Sequence, residues 1–183
     1  MTTPLQTLIA MPALKDSYFE KCTILLCEHS TSGAMGLVTN KLTHLNLGEI
    51  LEQMDITVED KSLFNVPILS GGPVHEDRGF VLHSPWGKWE SSIIINKDIH
   101  LTSSKDILEE IAKGKSPDKY LVLLGYSGWA ESQLEEELMD NSWMTIPAEP
   151  KLIFDTALHE KWDAAVKELG FDIHIISSST GHA

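Results

Sequence analysis

Leu69-Ser-Gly-Gly-Pro-Val-His-Glu-Asp-Arg-Gly-Phe-Val-Leu-His-Ser84 is the stretch whose reading decides the fold. Gly71 and Gly72 admit backbone geometry closed to other residues, and Pro73 fixes the next φ and removes an N–H donor. Ile68-Leu69 therefore reads as the end of one strand, and Gly71-Gly72-Pro73 as the turn that stops it. Phe80-Val81-Leu82 reads as the next strand, bounded by Ser84-Pro85. Between them, Val74 to Gly79 reads as a polar loop carrying His75, Glu76, Asp77 and Arg78, the only arginine in the chain. As a ligand-facing loop, its glycine N–H groups could meet an anion and Arg78 could fork onto it. The competing reading is a hairpin in which Arg78 pairs with Glu76, Asp77 or a more distant carboxylate. The hairpin is the simpler of the two, because phosphate loops normally open a helix.

Upstream, Leu5 to Ala10 reads as a first strand ended by Met11-Pro12, with a helical turn at Asp16 to Phe19. Cys22 to Cys27 is almost continuously apolar, as expected of a strand buried on both faces. Glu28 to Gly33 is turn-rich, and Ala34 to Thr39 reads as the partner strand of a hairpin ending at Asn40-Lys41. Asn46 and Glu49 have capping-box spacing, and Leu47, Ile50, Leu51 and Met54 then form one apolar stripe on a short helix. A linker through Asp60 leads to a strand near Val66 to Leu69.

Downstream, Trp86 to Trp89 reads as a turn with partly buried aromatics and Ser92 to Asn96 as a strand. Ser104 reads as the cap of a helix with Ile107, Leu108 and Ile111 on one side, closed by Gly114. Tyr120 to Gly125 reads as a buried strand. Ser132 and Glu135 have capping-box spacing before a helix whose Glu135, Glu136 and Glu137 face mostly outward. Trp143 to Ile146 and Leu152 to Phe154 read as short strands. Thr156 reads as the cap of a last helix, with Leu158, Trp162, Ala165, Val166 and Leu169 inward and Gly170 as its stop. Residues 177–183 read as a mobile tail on composition. No internal repeat or domain boundary stands out, so residues 1–183 read as a single α+β domain with a mixed sheet.

With 42% hydrophobic and 22% charged residues the composition is that of an ordinary globular chain, but the net charge of −13 is not ordinary. It disfavours nonspecific contact with phosphate backbones and anionic membranes, and the lysines form no basic cluster. Cys22 and Cys27, five apart on one strand, would lie roughly 16 Å from each other on opposite faces, too far for a disulfide. Reduced buried thiols fit a reducing compartment. No stretch approaches the roughly 20 apolar residues of a membrane span, and Met1-Thr-Thr-Pro4 lacks a positive signal-peptide start, so a cytoplasmic location is expected.

Two chemistries can be weighed on the residues. Gly125-Tyr126-Ser127-Gly128-Trp129, between a strand and a helix, invites a nucleophile-elbow reading with Asp155 and His159 or His174 following in hydrolase order. The motif needs glycine where Trp129 stands, so the competing reading is a tight strand-to-helix connection with Trp129 as a core anchor. The eight histidines show no His-x-x-x-His spacing and there is no cysteine cluster, so no metal or other cofactor is expected.

With these segments in place the chain resembles the YqgE/AlgH family of small bacterial proteins over nearly its whole length. The resemblance rests on Leu8-Ile-Ala-Met-Pro12, Cys27-Glu-His29, Gly33 to Asn40, Leu69 to Val74 and Asp77 to His83. It continues in Gly125 to Trp129, Gln133-Leu-Glu135, Leu152 to Asp155, Trp162 and Gly181-His-Ala183. It implies a compact α+β domain whose mainly antiparallel sheet is barrel-like and partly split, with no established enzyme activity. One branch is named as a regulator of alginate production, which implies a transcriptional role. With one arginine, a strongly negative charge and no helix-turn-helix, an indirect route through a protein or small-molecule partner is physically easier than direct DNA binding.

The sequence therefore leads to a non-enzymatic cytoplasmic binding or regulatory protein, monomeric by default. Its expected recognition surface comprises Glu28, His29, Asn40, Gly71, Gly72, Arg78 and His83. The alternatives are a hydrolase using Ser127 and a direct DNA-binding regulator.

Overall fold

An apolar run that leaves neither face of a strand to water must lie inside a sheet, and Cys22 to Cys27 is buried at every position. A computed structural model describes residues 5–14 and 16–170 of the chain. In chain order these form β1 (Gln6–Ala10), β2 (Thr23–Ser30), β3 (Gly33–Val38), β4 (Leu42–Asn46), α1 (Leu47–Gln53), β5 (Pro67–Ser70), β6 (Val74–His83) and β7 (Ser92–Asn96). Then follow β8 (Ile99–Thr102), α2 (Lys105–Ala112), β9 (Tyr120–Trp129), α3 (Gln133–Met139), β10 (Trp143–Pro147) and α4 (Lys161–Glu168). Single 3₁₀ turns occur at Lys61–Asn65 and Leu158–Glu160, and a π-helical turn at Lys151–Asp155. The architecture is α+β, and of the pairings described only β5 with β9 is parallel.

The described chain divides into two compact units, one made of residues up to Asn40 and from Gly128 onward, the other of Lys41–Ser127. In the first unit, β10, β1, β2 and β3 pair antiparallel in that order. One core gathers Leu8, Cys22, Ile24, Leu26, Trp129 and Trp143; another packs Ile9, Met11 and Ile146 against Leu152 and Ala165. The even residues of β1 thus face one core and the odd ones the other, as strand alternation requires. Both cysteines are buried, neither in a disulfide, and burial pushes the Cys27 thiol up in pKa, so it stays protonated.

In the second unit β9 lies between β5 and β6, β4 extends the sheet beyond β5, and β8 and β7 extend it beyond β6. Leu47 and Leu51 of α1 and Ile107, Leu108 and Ile111 of α2 pack on Ile68, Val81 and Val122 of the sheet. The Asn46 carboxamide oxygen accepts the Glu49 N–H at 2.9 Å, the cap read from the sequence.

Several readings are corrected. Val74 to Gly79 is not a loop: β6 runs unbroken, pairing Val74 with Tyr126 and Gly79 with Leu124. Five steps along β6 match two along β9, so the polar residues bulge from a strand instead of ending it. β9 likewise runs through Gly125 to Trp129, where a strand-to-helix connection was expected. Ser104 stands at the start of α2 but gives its hydroxyl to the Asp106 carboxylate and caps no N–H of the helix, and Ser132 stands at the start of α3 with φ +64° and gives no side-chain cap. The Gln133 carboxamide oxygen accepts the Ala130 N–H instead. Leu152–Phe154 is helical, since a short apolar run fits either state and Pro150 suits a helix start. Thr156 donates its hydroxyl back to the Lys151 carbonyl and does not cap α4. The mixed polar strands β4 and β8 had no sequence expectation. Residues 177–183 and His174 lie outside the described residues.

Candidate functional site

The Gly-Gly-Pro turn and the Gly125-Tyr-Ser motif, read separately in the sequence, interlock in the second unit. Gly71 donates its N–H to the Leu124 carbonyl at 2.8 Å. A Cβ on Gly72 would overlap the Tyr126 carbonyl, and one on Gly125, at φ +75°, would overlap the Gly72 carbonyl oxygen. Two backbones meet here without side chains between them, which only glycine permits. Ser127 is 1% exposed and donates its hydroxyl to the Gly71 carbonyl at 3.2 Å. This serine sits inside a strand with its proton committed to the backbone, far from the exposed, strained geometry of a nucleophile elbow.

The bulge of β6 displays His75, Glu76, Asp77 and Arg78, all exposed. His75 has φ +44°, a conformation a non-glycine side chain adopts at a cost of order 1–3 kcal/mol. Arg78 forms no ion pair among the described residues, against the expectation that a neighbouring acid would hold it. Its guanidinium lies 5.2 Å from the centroid of Phe80, a buried ring packed edge-on against Tyr126. His75 lies tilted against Tyr126, ring centroids 5.8 Å apart. The second unit thus carries an aromatic platform with a guanidinium and an imidazole at its flanks. A guanidinium in that position leaves its fork of donors open to a carboxylate or phosphate.

His83 is elsewhere. It ends β6 opposite His100 and Tyr120, at the other end of the strand from the Gly71-Gly72 turn, and is fully buried. The Ser84 carbonyl can only accept, so His83 Nδ1 carries the proton and donates at 2.8 Å. Nε2 then accepts from the Thr102 hydroxyl at 2.7 Å. Burial lowers its pKa, with the Ser84 bond opposing and His100 reinforcing the shift, so the ring is a neutral structural hydrogen-bonder.

In the first unit, His29 and Asn40 are also separated. His29 pairs with Ala34 near the turn of the β2–β3 hairpin, while Asn40 follows Thr39 beside Thr23 at its open end. His29 Nε2 meets Glu135 Oε1 of α3 at 2.6 Å, and this bond lowers the Glu135 pKa. Glu28 beside it is exposed. The Asn40 carboxamide is spent on the backbone: its oxygen accepts the Thr23 N–H at 3.0 Å and its nitrogen donates to the Lys21 carbonyl at 2.9 Å. Neither unit gathers its own share of the seven candidates at one place.

Two polar residues of the first unit escaped the sequence reading. Lys161 is 1% exposed and donates Nζ to the Thr39 and Ile153 carbonyls, each at 2.7 Å. Burial lowers its pKa to about 8. The signal was present: Lys161 stands three after Leu158 and four before Ala165, on the apolar stripe of the helix. Glu137 was placed on a solvated face, yet one of its carboxylate oxygens accepts both the Trp129 and Trp143 indole N–H groups at 2.9 and 2.8 Å. Among the described residues no cluster of His, Cys, Asp and Glu could hold a metal ion, and no helix is long and apolar enough to cross a membrane.

Comparison with known proteins agrees with this fold. A family model described as DUF179, AlgH-like, matches residues 7–174. UPF0301 proteins of Chromobacterium violaceum and Nitrosospira multiformis are 47% and 49% identical, each over 96% of this chain and 95% of its own. The solution structure of the AlgH protein from Pseudomonas aeruginosa superposes with a TM-score of 0.81 at 39% identity, covering 100% of this chain and 99% of its own. A Corynebacterium diphtheriae protein of known crystal structure shares the fold, with a TM-score of 0.65 at 18% identity over 82% of this chain and 78% of its own. The chain belongs to the AlgH-like family.

Proposed function

We propose that this protein is a non-enzymatic, cytoplasmic binding protein with an indirect regulatory role, and that the Arg78 bulge of β6 is its recognition element. One observation carries the reading. The only arginine of the chain is exposed, without an ion-pair partner among the described residues, beside an aromatic platform on a strained strand. Arginine carries five N–H donors, and no carboxylate among the described residues pairs with this one, which leaves them for a partner. Its partner carries a carboxylate or phosphate, on a small molecule or on another protein. A planar group beside that anion would lie against Tyr126 and His75. The strongly negative net charge makes a nucleic-acid backbone the least favourable source of the anion.

The test is a thermal-shift screen of metabolites and nucleotides on wild type and Arg78→Ala. The reading expects an anionic ligand that raises the melting temperature of wild type and leaves the variant unmoved, with the shift bounding the affinity. Ligands that stabilise both proteins equally would remove Arg78 from recognition. The hydrolase alternative, in which Ser127 acts as nucleophile, expects labelling by a serine-reactive phosphonate. The buried hydroxyl of Ser127 favours no labelling.

A further inference from the structure

Gly79 and Val81 flank Phe80 on the regular part of β6 and so face the other side of the strand from it, and Asp77 of the bulge joins them. There they line a cleft of about 450 Å³ within the second unit, bounded by α1, α2 and the sheet. That volume lies in the range of about 300–1,000 Å³ typical of small-molecule sites. Half-buried Leu45, Ile50, Met54 and Leu124 give it an aliphatic lining.

Three features mark this cleft. Gly79 sits mid-strand, where glycine is unfavourable, although its φ is not left-handed and a Cβ there would meet nothing nearer than Leu124 Cδ2 at 4.0 Å. Its missing side chain keeps the floor open. Lys105 is the first residue of α2, where a cation opposes the helix dipole; it shares a surface pocket with Asp55, Glu59 and Glu109, yet it is exposed and forms no ion pair among the described residues. Asp77 is an exposed strand aspartate, also a poor local choice, and likewise has no ion-pair partner among the described residues. Opposite charges line the same apolar cleft without neutralising each other.

The complement of that surface has an aliphatic body and both charges. We propose that the cleft binds a small zwitterion, a free aliphatic amino acid or a short peptide of such residues, with its ammonium at Asp77 and its carboxylate at Lys105. Both polar contacts are solvent-exposed and set orientation; the aliphatic lining supplies most of the affinity. The cleft lining includes none of Arg78, Phe80, Tyr126 and His75, so the two sites can be tested separately.

Leucyl-leucine is the probe, titrated into the full chain with ¹³C-labelled Leu, Val and Ile methyl groups. The proposal expects saturable shifts at Val81, Leu108, Val122 and Leu124. N-acetylation or C-terminal amidation of the dipeptide should each weaken binding by about two- to fivefold. Asp77→Asn should cancel the effect of acetylation and Lys105→Gln that of amidation. Gly79→Val, which fills the floor, should weaken binding at least about tenfold. Gly79→Ala serves as the milder variant, and the wild-type methyl map stands even if neither variant folds. No methyl shift at about 10 mM dipeptide, or shifts confined to other parts of the chain, would overturn the proposal. So would tighter binding of decanoate than of leucyl-leucine, which would make the site an acyl-chain cleft.

Discussion

Lys161 offers a quantitative test of the first unit, through pH and one substitution. Its ammonium has three donors and only two carbonyl partners, Thr39 and Ile153. A neutral amine has two N–H groups, so it keeps both hydrogen bonds and sheds the buried charge. Burial accordingly lowers the pKa from 10.5 to about 8. The sign of the pH effect follows. Below about pH 8 both folded and unfolded chains hold the proton, and the cost of the buried charge is present in full. Between about 8 and 10.5 the unfolded chain holds a proton that the folded chain has released, so stability from this group rises with pH. The full gap is worth about 3 kcal/mol. Other lysines also deprotonate in that window, so wild type must be compared with Lys161→Met, which keeps the length and removes the titration. Urea unfolding of both proteins at pH 7 and pH 10.5 gives the difference directly. The destabilisation caused by Lys161→Met should be about 3 kcal/mol larger at the higher pH. A constant or shrinking difference would refute the reasoning and place the folded pKa at or above its ordinary value.

Three further predictions concern single contacts. Glu137→Ala should cost about 3–5 kcal/mol, since it removes two charge-assisted bonds to buried indoles, and should shift the tryptophan emission; the same fluorescence-monitored unfolding curve reports both. Asn40→Ala leaves the Thr23 N–H and the Lys21 carbonyl without their side-chain partner and should lower stability by about 1–3 kcal/mol in chemical denaturation, whereas Asn40→Asp should retain the Thr23 bond and cost less. Ser127→Ala should cost about 1 kcal/mol by the same measurement and leave ligand-induced thermal shifts unchanged, because its hydroxyl serves only the Gly71 carbonyl.

The parts of this fold legible in the sequence are those with one dominant local cause. Cys22 to Cys27 declared a buried strand by its unbroken apolarity, and Asn46 with Glu49 declared a helix start by spacing. The turn at Gly71-Gly72 was readable as a glycine pair, but the reason Gly72 admits no side chain, the backbone of Tyr126 and Ser127 pressed against it, is a long-range fact. Val74 to Gly79 misled because charge in a chain segment means exposure, and exposure does not distinguish a loop from a bulged strand. Asn40 and His83 were chosen as polar residues near strand ends without evident packing purpose. Each in fact satisfies backbone or buried hydroxyl partners distant in sequence. Lys161 was hidden by its charge, since lysine is almost never wholly buried and its carbonyl partners come from other segments.

The central claim is that Arg78 serves recognition and not the fold, and the stability of Arg78→Ala tests it without knowledge of any ligand. Urea unfolding of wild type and variant, compared at the same pH and salt, is the measurement. An exposed guanidinium with no ion-pair partner among the described residues and one ring contact should leave stability within about 0.5 kcal/mol of wild type. A loss of about 2 kcal/mol or more would show that the arginine pins the bulge in place, and would contradict the account.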